Sequence, residues 1–289
     1  MESPVPPCEE QVKLVEEIER MMFKLDSFKA TKQLMISLLQ EQKYSIIDKY
    51  ILGGIVKQPL KKSNTKWLGN IPETWKVKRL KYIVEINPSK NLLEDSKKEM
   101  VVFLPMENIS VIGQIDNSIK VIAEEVWTGY TYFNRNDVVV AKITPCFENG
   151  KGAWLNNLET KFGFGTTELY VLRANEEEIY PEFLYWVTQS RIFRKNGEAF
   201  MYGTAGQQRV PADYLKNFET PIPILDEQVL IIKKIKLEIK KIDQVISKLQ
   251  REIGLISEYR TTLIQEVIFG NIDIAAQKVE KFPNGMEER

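Results

Sequence analysis

The chain has 289 residues, 43% of them hydrophobic, with 40 Lys and Arg balancing 40 Asp and Glu and no histidine. That length accommodates about two compact units, or one domain plus extended helices, and the apolar content excludes a largely disordered chain. Without histidine there is no imidazole acid–base catalysis, no His-containing triad and little scope for zinc, while zero net charge argues against a protein that holds nucleic acid by bulk electrostatics.

Met1-Glu2-Ser3-Pro4 opens the chain acidic and polar, unlike a signal peptide. No stretch has the roughly 18 consecutive apolar residues of a membrane span, so a cytoplasmic address and no membrane partner are expected. Cys8 and Cys146 are too few for a four-thiolate metal site or a disulfide framework. Residues 3–55 then show the most informative feature of the chain, because they recur as residues 220–272. Pro4, Pro6, Glu10, Gln11, Ile18, Asp26, Ile47, Ile51 and Gly53 match Pro221, Pro223, Glu227, Gln228, Ile235, Asp243, Ile264, Ile268 and Gly270, always 217 positions on. A period this long is a duplicated module rather than a solenoid repeat.

Each copy is punctuated as one long helix. Prolines restrict the entry, acidic pairs (Glu9-Glu10 and Asp226-Glu227) suit the positive end of the helix dipole, and glycine marks the exit. In the second copy Ile232, Ile235, Ile239, Ile242, Ile246, Leu249, Ile253 and Ile256 step by threes and fours, a coiled-coil seam. The first copy carries the same seam through Leu14, Ile18, Met22, Leu25, Met35, Leu39 and Ile46. Some forty helical residues reach about 60 Å and need a helical partner. The repeat itself is the economical one. One helix enters the middle segment and the other leaves it, so an antiparallel pair is expected, a stalk with the middle domain at one end. The expected parse is residues 1–56 and 220–274 as the two helical modules, 57–66 as a basic linker with Lys57, Lys61, Lys62 and Lys66, 67–219 as the middle domain, and 275–289 as a polar tail.

The middle segment opens on Trp67-Leu68-Gly69-Asn70-Ile71-Pro72-Glu73-Thr74-Trp75, and a short basic helix is expected over residues 76–83. Strands are expected at 101–104, 119–122, 137–143 and 169–172, and a helix over 181–195. The fold class is α+β: a mixed α/β domain flanked by two long helices paired as an antiparallel coiled coil. Three small-residue loops carry potential chemistry: residues 142–152, 163–168 and 202–211. Their amides, hydroxyls and cations suit base edges and phosphates, although such loops are also ordinary surface turns. Enzyme motifs are missing or incomplete. Phe162-Gly163-Phe164-Gly165 does not open the strand–turn–helix unit of a nucleotide loop, and Asn87-Pro88 lacks the rest of an amino-methyltransferase loop. Asp137 and Lys142 lack the intervening acid of a nuclease metal site, no P-loop is present, and Cys146 has no histidine to activate it.

The order long helix, middle domain, long helix, with Pro221-Ile222-Pro223-Ile224-Leu225-Asp226-Glu227-Gln228, the Trp67–Trp75 lead-in, Asp137–Cys146 and Gly203–Pro211, resembles the specificity subunit of type I restriction-modification systems. The resemblance covers nearly the whole chain. It implies a target-recognition domain that reads one half of a split double-stranded DNA sequence, with the helix pair as a ruler and no catalysis in this subunit. It further implies modification subunits that carry S-adenosylmethionine, and a restriction subunit that uses ATP and Mg. The sequence begins at the central helix and so departs from the family pattern of two target-recognition domains; a second copy and a separate first target-recognition domain are both open as partners. On this resemblance Lys142, Lys151 and Arg209 would meet phosphate or guanine. Asn149, Thr166, Gln207 and Gln208 would meet base edges, Tyr202 sugar or backbone, and Thr144 would also be among the DNA-binding residues. Leu14, Ile18, Met22, Leu25, Ile235, Ile239, Ile242, Ile246, Leu249 and Ile253 would form the helix interface. The alternative is a coiled-coil scaffold or decoy that binds restriction-modification subunits without reading DNA.

Overall fold

A computed structural model describes residues 7–55, 58–65, 67–90, 95–204 and 206–268. Pro4, Pro6, Lys57, Lys66, Gly270 and the tail 275–289 therefore lie outside the described residues. Two compact units result, one of Met1–Glu41 with Lys240–Arg289 and one of Gln42–Ile239.

Helix α1 (Cys8–Gly53) and helix α5 (Leu225–Ile268) begin at equivalent positions of the repeat. In the first unit they pair antiparallel. Leu14, Ile18, Met21, Met22 and Leu25 pack against buried Leu263 and Val267. Further along, Arg260 meets Asp26, Ser257 accepts from Lys29, and Glu252 pairs with Lys32. Ile242, Ile246 and Leu249 are buried along the same seam, with Ile253 half-buried. Met35 departs from expectation: it is 45% exposed, and Ile36, one step round the helix, is half-buried in its place. With Lys29 and Lys32 occupying seam positions, the apolar pattern of the first copy is too broken there to set the phase. In the second unit the equivalent repeat positions meet again. Ile47, Tyr50 and Ile51 share a core with Ile231, Ile232, Ile235 and Ile239, and the Tyr50 hydroxyl donates to Glu238.

The rest of the second unit is built in layers. A small antiparallel pair, β1 (Leu60–Lys62) and β2 (Asn70–Pro72), leads in. Next comes β3 (Lys76–Arg79), where a helix was expected; only a short 3-10 turn at Leu80–Tyr82 is helical. The long-range partner of β3 is β12 (Glu219–Ile222), an antiparallel pairing that local propensity does not reveal. Two four-stranded sheets follow. One has the order β6 (Lys120–Ile122), β5 (Met100–Leu104), β10 (Phe162–Gly165), β7 (Thr131–Asn134). The other has the order β4 (Val84–Ile86), β11 (Leu169–Ala174), β8 (Val138–Ala141), β9 (Gly152–Trp154).

Strand alternation explains how the layers close. In β8, Val139 and Ala141 face the other sheet beside Val102, Leu104 and Phe133, while Val138 and Val140 face the helices. Both faces are covered, so the strand is apolar throughout. The helical layer is α2 (Pro181–Gln189), α3 (Arg191–Ala199) and α4 (Ala212–Asn217), with Phe183, Leu184, Val187 and Phe193 in the core. The single helix expected over 181–195 is thus two. Ser190 is extended at the break, and its hydroxyl accepts from the Phe193 N–H at 3.2 Å and donates to the Val187 carbonyl at 2.7 Å.

Gly163 and Gly165 are expected in a loop but lie in buried strand β10. A methyl group on Gly163 would stand 2.6 Å from the Val102 carbonyl oxygen and 2.7 Å from the Phe133 ring. The glycines therefore let the Phe133 ring lie flat against the sheet, while Phe162 and Phe164 fill the opposite face.

The Pro-x-Pro…Glu-Gln motif has a structural task. Gln228 is fully buried; its amide oxygen accepts from the Tyr180 N–H at 2.9 Å, and its Nε2 donates to the carbonyls of Glu178 at 2.9 Å and Pro223 at 3.1 Å. Glu227 accepts from the indole of buried Trp75 at 2.9 Å and from Gln58 at 3.2 Å. These bonds lock the start of α5 to the lead-in and to the start of α2.

Candidate nucleic-acid interface

The site is built where β8 ends and β11 begins. Lys142 follows β8; its N–H donates to the Glu168 carbonyl, and its own carbonyl accepts from Val210, each at 2.9 Å. The chain then makes a tight turn through Phe147, whose N–H donates to Ile143 at 2.9 Å, and through Gly150, which adopts the left-handed conformation at φ 88°. The third loop returns alongside. Residue 209 bridges both Ile143 and Tyr202, and Thr144 exchanges bonds with Gln208, its N–H donating at 2.9 Å and its hydroxyl accepting at 3.1 Å. Three segments distant in sequence thus form one ledge at the rim of a rigid sheet.

On this ledge the structure brings together Lys142, Thr144, Thr166, Tyr202, Gln207, Gln208 and Arg209. Tyr202 is 65% exposed, and Gln207 and Asn149 are exposed as well. The Lys142 ammonium stands 5.4 Å from the centre of the Tyr170 ring, a cation–π contact. Thr166 is half-buried and its hydroxyl accepts from the Glu168 N–H at 3.3 Å. Lys151 is engaged elsewhere, donating to the Met106 carbonyl at 2.8 Å. Lys78, at the opposite end of the unit's sequence, pairs with Glu178 at 2.6 Å. Ala205 lies outside the described residues.

The residue that sequence reasoning passed over is Glu168. Its carboxylate takes Arg209 side-on, Oε2 accepting from Nε at 2.9 Å and Oε1 from Nη2 at 2.8 Å. The hydrogen bonds from Arg209 hold this carboxyl below the usual carboxylate range, and the nearby Lys142 charge acts in the same direction. A carboxylate is repelled by phosphate, so an inventory of DNA-compatible side chains skips it; its place beside Thr166-Thr167 was the available signal. Asp137, considered for a metal site, is 2% exposed and bound to Arg173 through Oδ1 at 2.9 Å and Oδ2 at 2.8 Å. Its role is structural. Among the described residues no group of three or more Cys, Asp or Glu is placed to hold a metal ion, and no helix is long and apolar enough to cross a membrane.

The sequence model described as type I restriction modification DNA specificity domain matches residues 72–253, which include every residue of the ledge. The chain belongs to this family. A relative is the type I restriction enzyme EcoAI specificity subunit of Escherichia coli, 38% identical over 162 residues, 56% of this chain and 27% of that protein. The MjaVIII specificity subunit of Methanocaldococcus jannaschii is 24% identical over 94% of this chain and 62% of its own length. The chain thus matches between about a quarter and three-fifths of these relatives' lengths. In fold it is similar to a chain solved in work on complex assembly and conformational transition of the type I R-M system, with TM-score 0.67 and 12% identity, covering 93% of this chain and 62% of that one.

Proposed function

We propose that this chain is a non-catalytic, sequence-specific DNA-recognition subunit of a type I restriction-modification complex, reading one half of a split double-stranded target. The observation that carries this reading is the ledge: three loops rich in amides, hydroxyls and cations, tied into one surface by the bridge of residue 209 to Ile143 and by the bonds of Lys142 and Arg209 to Glu168. Donors and acceptors held on strand ends are suited to base edges, whereas mobile lysines would give only phosphate contacts. Membership of a family of DNA specificity domains supports the same reading.

The helices dock modification subunits in this proposal. Large apolar side chains stand on their outer faces, among them Val12, Phe23 and Leu34 of α1 and Leu237, Leu255 and Tyr259 of α5, each at least half exposed. Such side chains away from the seam fit a protein partner. S-adenosylmethionine, ATP and Mg chemistry would then reside on the modification and restriction subunits, and the assembly would work in the cytoplasm. A second copy, or a separate recognition domain, would supply the other half-site.

The test is selection of duplexes from a randomised pool by the full chain assembled with its modification subunit. Enrichment of a half-site is expected, and Gln207→Ala should relax one base position by about 1–3 kcal/mol. A pure scaffold or decoy would enrich nothing, and that result would overturn the reading.

A further inference from the structure

Arg209 is the strongest cation on the ledge, yet it does not stand there as a free charge. Its Nε and Nη2 are taken side-on by Glu168, and Nη1 donates to the Gln207 carbonyl of its own loop at 3.3 Å. A guanidinium has five N–H bonds in a planar fork. Those contacts use three and leave two, one on each terminal nitrogen. The backbone of Glu168 is itself anchored by Lys142 and by the Thr166 hydroxyl, at the rim where β8 and β11 pair. The backbone that carries the carboxylate is therefore part of a rigid element, and the carboxylate meets the fork through two N–H groups at once.

We propose that Glu168 is a specificity-determining positioning residue: it holds Arg209 side-on, cancels its attraction for phosphate, and turns its end-on donor pair toward a guanine in the major groove. This rests on the DNA-reading proposal and narrows it, because it separates two roles open to Arg209. A lone arginine binds any phosphate it reaches, which gains affinity without sequence information. An arginine already paired has little net charge to offer phosphate but still offers two parallel donors, the pattern that matches guanine O6 and N7. The near-zero charge of the whole chain is consistent with a reader that avoids indiscriminate binding.

The experiment compares wild type, Glu168→Gln, Arg209→Lys and the double variant. Each is assembled as the full chain with the modification subunit, challenged with the randomised duplex pool at several salt concentrations, and checked by thermal melting. Glu168→Gln keeps the shape of the side chain and removes its charge. It should lose roughly ten-fold discrimination at one G·C pair. Its binding to random DNA should rise and become more salt-dependent, by up to about one added phosphate contact. Arg209→Lys should lose preference at the same pair, and the double variant should lose no more there than the worse single variant. A packing role alone would weaken all sequences evenly and leave the salt dependence unchanged. The proposal is overturned if Glu168→Gln keeps the wild-type base profile, or if the two single variants lose preference at different positions. Absence of any base preference in wild type would instead overturn the DNA-reading proposal on which this one stands.

Discussion

Asp48 and Glu168 are carboxylates with opposite electrostatic settings, and each makes its own demand on pH. The Asp48 Oδ1 accepts from the Arg191 N–H at 2.8 Å and so caps helix α3 from outside. Burial nevertheless pushes its carboxyl above the ordinary value, outweighing that bond and the Arg191 charge. A carboxyl raised on folding contributes stability below its unfolded value and loses it as pH rises through the folded one, so the ionised form is a liability at neutral pH. Asp48→Asn keeps an acceptor for the cap and should melt at or above wild type at pH 7, with the advantage shrinking toward pH 4. A large loss of Tm at pH 7 would show that the charge itself is needed there. Glu168 runs the other way. Its lowered pKa means that the pair with Arg209 is intact above the usual carboxylate range and is lost only as pH falls through the depressed value. Gln228 carries a demand of a different kind, since its side-chain amide is bonded to the backbone at Tyr180, Glu178 and Pro223. Gln228→Leu would strand the Tyr180 N–H and should cost about 1–3 kcal/mol in a urea melt.

At the scale of elements, β10 offers the sharpest test of packing. Gly163→Ala places a methyl group against the Val102 carbonyl and the Phe133 ring, and overpacking of this kind should cost about 1–3 kcal/mol. Shortening the neighbour with Phe133→Leu should make the double variant less damaged than the sum of the singles. Glycine weakens a strand in isolation, so residue type alone points Gly163 and Gly165 to a loop, and only the partner ring explains their place in the sheet. The same limit applied to β3, whose pairing with β12 spans most of the middle segment, and to the break at Ser190, where periodicity continues across two helices. The apolar strands β5, β8 and β11 were legible because burial wrote their patterns into three or more consecutive residues. For the ledge, the loops that hold its donors were legible as small-residue runs. What brings those runs together was not, since the bridge of residue 209 to Ile143 and the Lys142 bond to the Glu168 carbonyl are backbone contacts that leave no mark on residue type.

At the scale of the molecule, the repeat was the feature most open to reading, and the antiparallel pairing followed from connectivity once two matching helices were recognised. Leu14, Ile18 and Met22 of the first copy meet Leu263 and Val267. Their repeat equivalents Ile231, Ile235 and Ile239 share a core with Ile47 and Tyr50, which are one position from and equivalent to those same partners. Each helix thus presents its early residues to the late residues of the other. Leu263→Asn should therefore loosen the packing of Leu14, Ile18 and Leu25 in the first unit and lower the Tm. The core of Ile47 and Tyr50 in the second unit should keep its protection in hydrogen exchange, and loss of protection there as well would show that the two contacts melt together. A duplicated arm of this kind carries its packing code twice, so descendants can wear one copy of the code down at one end while the other end still holds.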